Sequence, residues 1–303
     1  MNIIERIQDN FARGFFGKAM KIPELPEECI AWTLKQNGWI GVAVPINEYR
    51  PFSEKFAHVQ IISEKGARIN GKEYNLLMLI CTDMELRREF ATICSQFVEP
   101  GVNGTLRAQL IADPEIWWKQ WRALLGNTIS SNEPYPVLGE LVMLEYLLEK
   151  HEKVKWTGKD NATHDLELQD SSIEVKSTTK RYGYEVTISS IYQMIPAGKP
   201  LYLAFIRFER STLGRSIDDV VKSLINLGYS EADLEKTLKS AGLEEGCTAR
   251  NYKYKIIETK KYCVDESFPS VTVNSFKGDR LPDHVIKFSY TIDLAGISGT
   301  KII

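Results

Sequence analysis

The sequence is poor in residues that hold together secreted or zinc-binding folds. It has five cysteines and four histidines in 303 residues, with no C-x-x-C or H-x-x-x-H spacing. An odd number of scattered cysteines is typical of reduced thiols in a cytosol. A disulfide framework and a cysteine-rich zinc site are therefore excluded as the basis of the fold.

Long apolar runs are also missing. The strongest run, Leu76–Cys81, has the length of a strand, whereas a helix needs about 20 apolar residues to cross a bilayer. The first residues, MNIIERIQDNF, carry charges and amides where a signal peptide needs an apolar segment. We therefore expect a cytoplasmic protein with no membrane partner.

The sequence has no strong excess of either charge. Lys and Arg number 38 against 40 Asp and Glu, a formal charge of −2. That balance does not indicate a protein that coats nucleic acid. The apolar fraction of 43% excludes a disordered chain. Locally, residues 171–210 hold six basic residues against three glutamates, which is compatible with a local anion site.

Three common catalytic motifs are absent. The sequence contains no G-x-x-x-x-G-K-[ST], no G-x-G-x-x-G and no G-x-S-x-G. These absences weaken the case for a nucleoside triphosphatase, a dinucleotide enzyme or an α/β-hydrolase.

The chain divides into two predicted domains. Residues 126–134 are rich in turn-forming residues, which predicts a boundary. We assign 1–128 to an N-terminal α+β domain that selects a target or binds a partner. Residues 129–303 form the second domain, with a C-terminal α+β extension from about residue 212.

The second domain begins with a mixed pattern of helices and strands. Helical and strand periodicities predict the order α-β-β-β-α-β. The predicted elements are a helix at 136–150, strands at 154–156, 165–168 and 172–176, a further extended segment at 184–188, a short helix at 190–195 and a buried strand at 201–208.

Two predicted strands carry a group of ionic side chains. Strand side chains alternate between faces, so Glu174 and Lys176 share one face and Val175 points to the other. A hairpin through residues 169–171 would bring Asp165 beside Glu174. Adjacent carboxylates repel unless a cation lies between them, and hard oxygen ligands suit Mg²⁺. The pattern predicts a metal site that hydrolyses phosphodiesters.

A third acid lies in the preceding helix. Glu140 borders an apolar stripe formed by Val137, Leu141, Leu144 and Leu148. A carboxylate at the edge of a core is costly unless it is paired or binds a metal.

Glu140, Asp165 and Glu174-Val175-Lys176, in this order of elements, resemble the PD-(D/E)XK nuclease superfamily over residues 134–210. The wider chain resembles bacterial PD-(D/E)XK proteins of phage-defence and restriction gene neighbourhoods. The segments that carry the wider resemblance are 156–158, 164–168, 173–178, 188–190 with Gln193, Phe268-Pro269 and 290–294. The resemblance implies a restriction-endonuclease-like core, an α/β (α+β) fold with a mixed central sheet and α+β extensions at both ends.

The resemblance also implies roles for individual residues. Asp165 and Glu174 would be metal ligands, and the carbonyl of Val175 is a further ligand in this scheme. Lys176 would be the catalytic lysine. Glu140, on the helix, would be an accessory acid that acts on the metal or through a water. Gln193, on the helix after the sheet, would be a polar residue close to the site.

Some assignments have alternatives. His164 stands where the proline of the motif would be, which lowers the specificity of the match. Glu167 shares a face with Asp165 and is an alternative ligand. Lys180 and Arg181 are predicted to contact nucleic-acid phosphates, and a charged turn is the alternative. A second E-x-K, Glu258 to Lys260, lacks an upstream aspartate and is interpreted as a solvated strand edge.

These observations predict an Mg²⁺-dependent DNA endonuclease, with Mn²⁺ as a substitute, acting in restriction or anti-phage defence. The expected partners are DNA, other defence proteins and, for double-strand cutting, a second copy of the chain. Two alternatives stay open: an inactive DNA-binding or assembly module, and a metal-dependent hydrolase of RNA or small phosphoesters.

Overall fold

The computed structural model describes residues 1–124, 133–157, 163–277, 281, 284–285 and 288–303. The chain forms two compact units, Met1–Ile129 with Glu245–Thr248, and Ser130–Glu244 with Ala249–Ile303. The predicted boundary between residues 128 and 129 lies outside the described residues. Among the helices that are described, none combines the length and apolarity needed to span a bilayer.

The first unit has an antiparallel six-stranded sheet with the strand order β1-β2-β3-β6-β5-β4. Its main elements are α1 (Ile3–Arg13), β1 (Lys18–Lys21), β2 (Trp32–Gln36), β3 (Trp39–Ile46), β4 (Ser53–Phe56), β5 (Val59–Ile69), β6 (Lys72–Cys81), α2 (Arg87–Val98), α3 (Thr105–Ala112) and α4 (Pro114–Leu124).

The core of the first unit lies between this sheet and its helices. Phe11 of α1 stacks on Phe90 of α2, with ring centroids 6.1 Å apart. Both rings belong to one buried cluster with apolar side chains of β3, β5 and β6. The segment Glu245–Thr248 also belongs to this unit, because the carbonyl of Gly246 accepts from the Ser53 amide at 3.1 Å.

The second unit has a mixed five-stranded sheet with the order β12-β11-β9-β8-β7. β11 is parallel to β9, and the other pairs are antiparallel. This mixed sheet and its helices confirm the predicted α/β (α+β) class. The main elements are α5 (Tyr135–Glu149), β7 (Val154–Trp156), β8 (Leu166–Leu168), β9 (Ser172–Thr178), β10 (Glu185–Ile188), β11 (Leu201–Arg215), α6 (Ile217–Asn226), α7 (Glu231–Ser240), β12 (Tyr254–Cys263) and β13 (Tyr290–Asp293).

Helix α5 is buried more widely than the predicted stripe. Leu141 and Leu144 are buried as expected, but Val137 and Leu148 are only half-buried. The buried residues of α5 lie on most sides of the helix. A helix that is apolar on nearly all sides belongs to a core, so a narrow stripe was the wrong description.

Close packing of α5 on β9 depends on Gly139. A Cβ atom at Gly139 would lie 2.0 Å from the Ser177 hydroxyl oxygen and 3.3 Å from its Cβ. Only glycine allows this approach with Ser177 in its present rotamer. The contact fixes the position of the next residue of α5, Glu140.

The predicted short helix at 190–195 is wrong, because these residues form a turn. The amides of Gln193 and Ile195 each donate to the carbonyl three residues earlier, and Ser190 Oγ accepts from the Tyr192 amide. Pro196 follows at once and disfavours helical geometry at the residue before it. Six residues with local side-chain bonds therefore close a turn instead of starting a helix.

Candidate active site

The hairpin of β8 and β9 brings Asp165 next to Glu174. Its register pairs Leu166 with Ile173, which places the residue before β8 opposite Glu174. The Oδ2 atom of Asp165 accepts from the Val175 amide at 2.7 Å. The predicted convergence of the two carboxylates is thus present in the structure.

Lys176 lies on the same face of β9 as Glu174. Its Nζ is 2.8 Å from Oε1 of Glu174, whose side chain is 1% exposed. Ile173 and Val175 point to the opposite face and are buried. The period-2 alternation of a strand accounts for this separation of ionic and apolar side chains.

Glu140 reaches the same cluster from α5. Its Oε2 accepts from Trp156 Nε1 at 2.7 Å. The negative charges of Asp165 and Glu174 both act on Glu140 and disfavour its ionisation. The helix and the hairpin therefore supply one group of interacting acids, and β7 supplies the indole that donates to Glu140.

Burial and mutual repulsion hold the two glutamates of this group largely protonated at neutral pH. Burial, strengthened by the charge of Asp165, raises the pKa of both Glu140 and Glu174 to about 8. Burial also raises the pKa of Asp165. The Lys176 ammonium favours the charged forms but does not outweigh the cost of desolvation.

Gln193 contacts the site from its turn. Its Oε1 accepts from the Ser189 amide at 2.8 Å and lies 3.5 Å from Lys176 Nζ. The structure thus brings together all five predicted catalytic residues, although a turn and not a helix carries Gln193. Their catalytic roles stay predictions.

Lys180 and Arg181 lie in the loop after β9, outside the acid cluster. Their exposed side chains form surface ion pairs, from Lys180 to Glu185 at 3.0 Å and from Arg181 to Glu209 at 3.7 Å. Such exposed pairs are weak, with a typical worth of about 0–1 kcal/mol, so phosphates could displace them. Nucleic-acid contact by these residues stays a prediction.

The alternative ligand Glu167 has other partners. Its carboxylate lies 2.6 Å from Lys199 Nζ and accepts from Ser172 Oγ at 2.9 Å. Although partial burial raises the pKa of Glu167, these bonds dominate and hold it below its ordinary value. The geometry favours Asp165 as the acid beside Glu174.

The second E-x-K is more than a solvated strand edge. Glu258 pairs with Lys260 at 3.0 Å and with the buried Arg207 at 3.3 Å, and it accepts from the Tyr184 hydroxyl at 2.8 Å. Arg207 also donates to the carbonyls of Lys180 and Gly183. The interpretation of Glu258 to Lys260 as a solvated strand edge is therefore wrong. Glu258 pairs with Arg207, and Arg207 anchors the 180–183 loop, a contact that the sequence did not predict.

Other contributors to the site were also missed. The indole of Trp156 orients Glu140, and Gly139 lets α5 approach β9. No local spacing in the sequence signals either contact. His164, at the place of the motif's proline, is buried, and among the described residues neither ring nitrogen has a hydrogen-bond partner.

The chemistry of the acids fits a divalent cation. Among the described residues no three His, Cys, Asp or Glu side chains form a group that could hold a metal. The candidate ligands are instead two carboxylates, Asp165 and Glu174, with the main-chain carbonyl of Val175. The Oε2 atom of Glu174 is buried and has no hydrogen-bond partner in the described structure. An orphaned carboxylate oxygen is costly, and Mg²⁺ or Mn²⁺ favours such oxygen ligands.

Two strands that juxtapose an aspartate with E-x-K, and a helix that adds a glutamate, form the arrangement of a PD-(D/E)XK nuclease-type fold. Residues 30–295 match the model of the family described as "Putative PD-(D/E)XK family member (DUF4420)". This match covers most of the chain, which therefore belongs to that family. No curated protein and no solved structure matches the chain.

Proposed function

We propose that this protein is a divalent-metal-dependent endonuclease that hydrolyses DNA phosphodiester bonds. The observation that carries the proposal is the convergence of Asp165, Glu174 and Lys176, in which one carboxylate oxygen of Glu174 is buried and has no hydrogen-bond partner among the described residues. Membership of the PD-(D/E)XK family supports a nuclease-type activity.

Each residue has a defined task in this proposal. Asp165 and Glu174 would hold Mg²⁺, or Mn²⁺ in its place, together with the Val175 carbonyl. The metal would supply Lewis-acid stabilisation of charge on the scissile phosphate. Lys176 donates hydrogen bonds toward the attacking water and the developing negative charge. Gln193 positions Lys176 through its amide oxygen, and Glu140 adjusts the charge of the cluster.

Further parts of the proposal concern substrate and setting. The surplus of basic residues in 171–210, which includes Lys180 and Arg181, supports an anionic polymer as substrate. A role in restriction or anti-phage defence, with other defence proteins as partners, rests on the resemblance to bacterial proteins of such gene neighbourhoods. The scattered cysteines support a cytoplasmic location. Double-strand cutting would use two copies of the chain.

Plasmid cleavage in Mg²⁺ or Mn²⁺ tests the activity. We expect cutting by the wild type and its loss in Asp165→Ala and Lys176→Ala. Glu167→Ala and Lys199→Ala are matched controls, because they remove an acid and a lysine that pair with each other outside the cluster. Wild-type cutting by Asp165→Ala, or its loss only in Glu167→Ala, would refute the assignment.

Assays with DNA, RNA and small phosphodiesters as substrates separate this proposal from the two alternatives, an inactive binding or assembly module and a hydrolase of other phosphoesters. Retention of DNA without cutting in any divalent metal would favour a binding or assembly module. Cleavage of RNA or of small phosphodiesters, with DNA intact, would favour the other hydrolase. In either case circular dichroism should show that each variant keeps the fold of the wild type.

A further inference from the structure

Two adjacent phenylalanines are unusually exposed in the first unit. Phe15 and Phe16, between α1 and β1, expose 73% and 62% of their surface. Single exposed apolar residues are common, but two neighbouring aromatic rings form an apolar patch that is typical of binding surfaces. We call residues 12–21 together with Lys35 the aromatic-basic patch.

Backbone hydrogen bonds hold the turn that carries the two exposed phenylalanines. The Gly14 amide donates to the Asn10 carbonyl at 2.7 Å, and the Gly17 amide donates to the Lys35 carbonyl at 2.8 Å. A Cβ atom at Gly14 would lie 2.3 Å from the Asn10 carbonyl oxygen, and Gly17 has a positive φ of 77°. The two glycines therefore hold Phe15 and Phe16 in a turn that other residues would strain.

The charge of the patch is positive. Between Asp9 and Glu24 every charged side chain is basic, namely Arg13, Lys18 and Lys21. Only Arg13 among them has an acidic partner in the described structure, Asp9 at 2.9 Å. An anionic ligand therefore complements the surface.

Cations also lie against the aromatic rings. Lys18 Nζ is 5.5 Å from the centroid of Phe15, and Lys35 Nζ is 5.0 Å from that of Phe16. An ammonium group this near each ring favours a ligand that brings negative charge to the ring itself over one that offers only hydrocarbon. A flat ligand with its own negative charges can instead use the rings and the cations together.

We propose that the aromatic-basic patch binds single-stranded polynucleotide, with bases stacked on Phe15 and Phe16 and phosphates near Lys18 and Lys21. Base–aromatic stacking combined with a basic surface is the general design of sequence-independent single-strand binding. The proposed function gives the patch no role, and the proposal needs no metal and no cleavage.

Fluorescence anisotropy of the full chain with labelled oligothymidylate, in EDTA to prevent cutting, tests the proposal. We expect Phe15→Ala with Phe16→Ala to weaken binding at least about tenfold, as the loss of stacked bases implies. Val102→Ala with Leu106→Ala is the control, because these side chains of the same unit are 79% and 49% exposed. The control should bind as the wild type does, and thermal unfolding should show both variants folded.

Salt and competing ligands add independent readouts. Lys18→Gln with Lys21→Gln should reduce the slope of log affinity against log salt by about 1.4, since each phosphate contact on a single strand contributes about 0.7. An oligouridylate arm shows whether DNA and RNA are distinguished. Wild-type affinity in the phenylalanine variant, equal loss in the control, or binding only to anionic phospholipid vesicles would overturn the proposal. The assay reads binding alone and contains EDTA, so failed cleavage leaves this result unaffected.

Discussion

Metal binding at the candidate site should release protons at neutral pH. Glu140 and Glu174 each have a pKa raised to about 8. At pH 7 each carboxyl is therefore mostly protonated in the metal-free protein. A divalent cation held by Asp165 and Glu174 favours the ionised form of every acid in the cluster. We expect the release of more than one proton per metal bound.

Isothermal titration calorimetry measures this number directly. Mn²⁺ is titrated at pH 7 in buffers of different ionisation enthalpy, and the slope of apparent enthalpy against buffer enthalpy gives the protons released. Glu140→Gln keeps the size of the side chain but cannot ionise, so its release should be lower than that of the wild type by roughly one proton. Glu174→Gln removes a proposed ligand and should bind Mn²⁺ weakly or not at all.

The same reasoning predicts how affinity depends on pH. Between pH 6 and pH 7 the apparent affinity for Mn²⁺ should rise by more than about one logarithmic unit in the wild type and by less in Glu140→Gln. Tight binding with release of fewer than about 0.5 protons would refute the proposed ionisation of the cluster. Wild-type binding by Glu174→Gln would refute its role as a ligand.

Three further outcomes are expected. Because burial places both raised glutamate pKa values above those of the unfolded chain, the folded form binds more protons, so metal-free stability should fall as pH rises from about 4.5 to 8; thermal unfolding should show a weaker fall in Glu140→Gln. Gly139→Ala should reduce cleavage and destabilise by about 1–3 kcal/mol through its clash with the Ser177 hydroxyl, and adding Ser177→Ala should restore both if that clash is the cause. Arg207→Met should destabilise by about 3 kcal/mol in denaturant titrations because two loop carbonyls lose their donor, whereas the exposed Arg181→Met should change stability by less than about 0.5 kcal/mol.

The positions of Asp165, Glu174 and Lys176 in the candidate site follow from local sequence rules. A strand has a period of two, so Glu174 and Lys176 had to share a face once β9 was recognised. The three-residue turn after Leu168 then set the register that brings Asp165 to the Val175 amide. Both steps use residues close together in the chain, which is why spacing alone could predict them.

Other parts of the site depend on distant contacts that spacing does not encode. The bond from Trp156 to Glu140 joins β7 to α5, and the Arg207 anchor joins β11 to the 180–183 loop. At 190–195 the reason is local instead: the sequence predicted a helix, but Pro196 and side-chain bonds to the neighbouring backbone favoured a turn. Sequence patterns describe the local preference of a segment, whereas the Trp156 and Arg207 contacts depend on which distant segments pack together in the fold.

The short segment Glu245–Thr248 has a practical consequence for dissecting this protein. It returns from the second unit to the sheet edge of the first, where Gly246 accepts from Ser53 and the Thr248 amide donates to Glu54 at 2.8 Å. A fragment that stops near residue 128 would therefore expose both partners to water and lose a piece of its own edge. An expressed first unit should therefore include Glu245–Thr248, joined to it by a designed linker. No single cut in the sequence separates the two units completely.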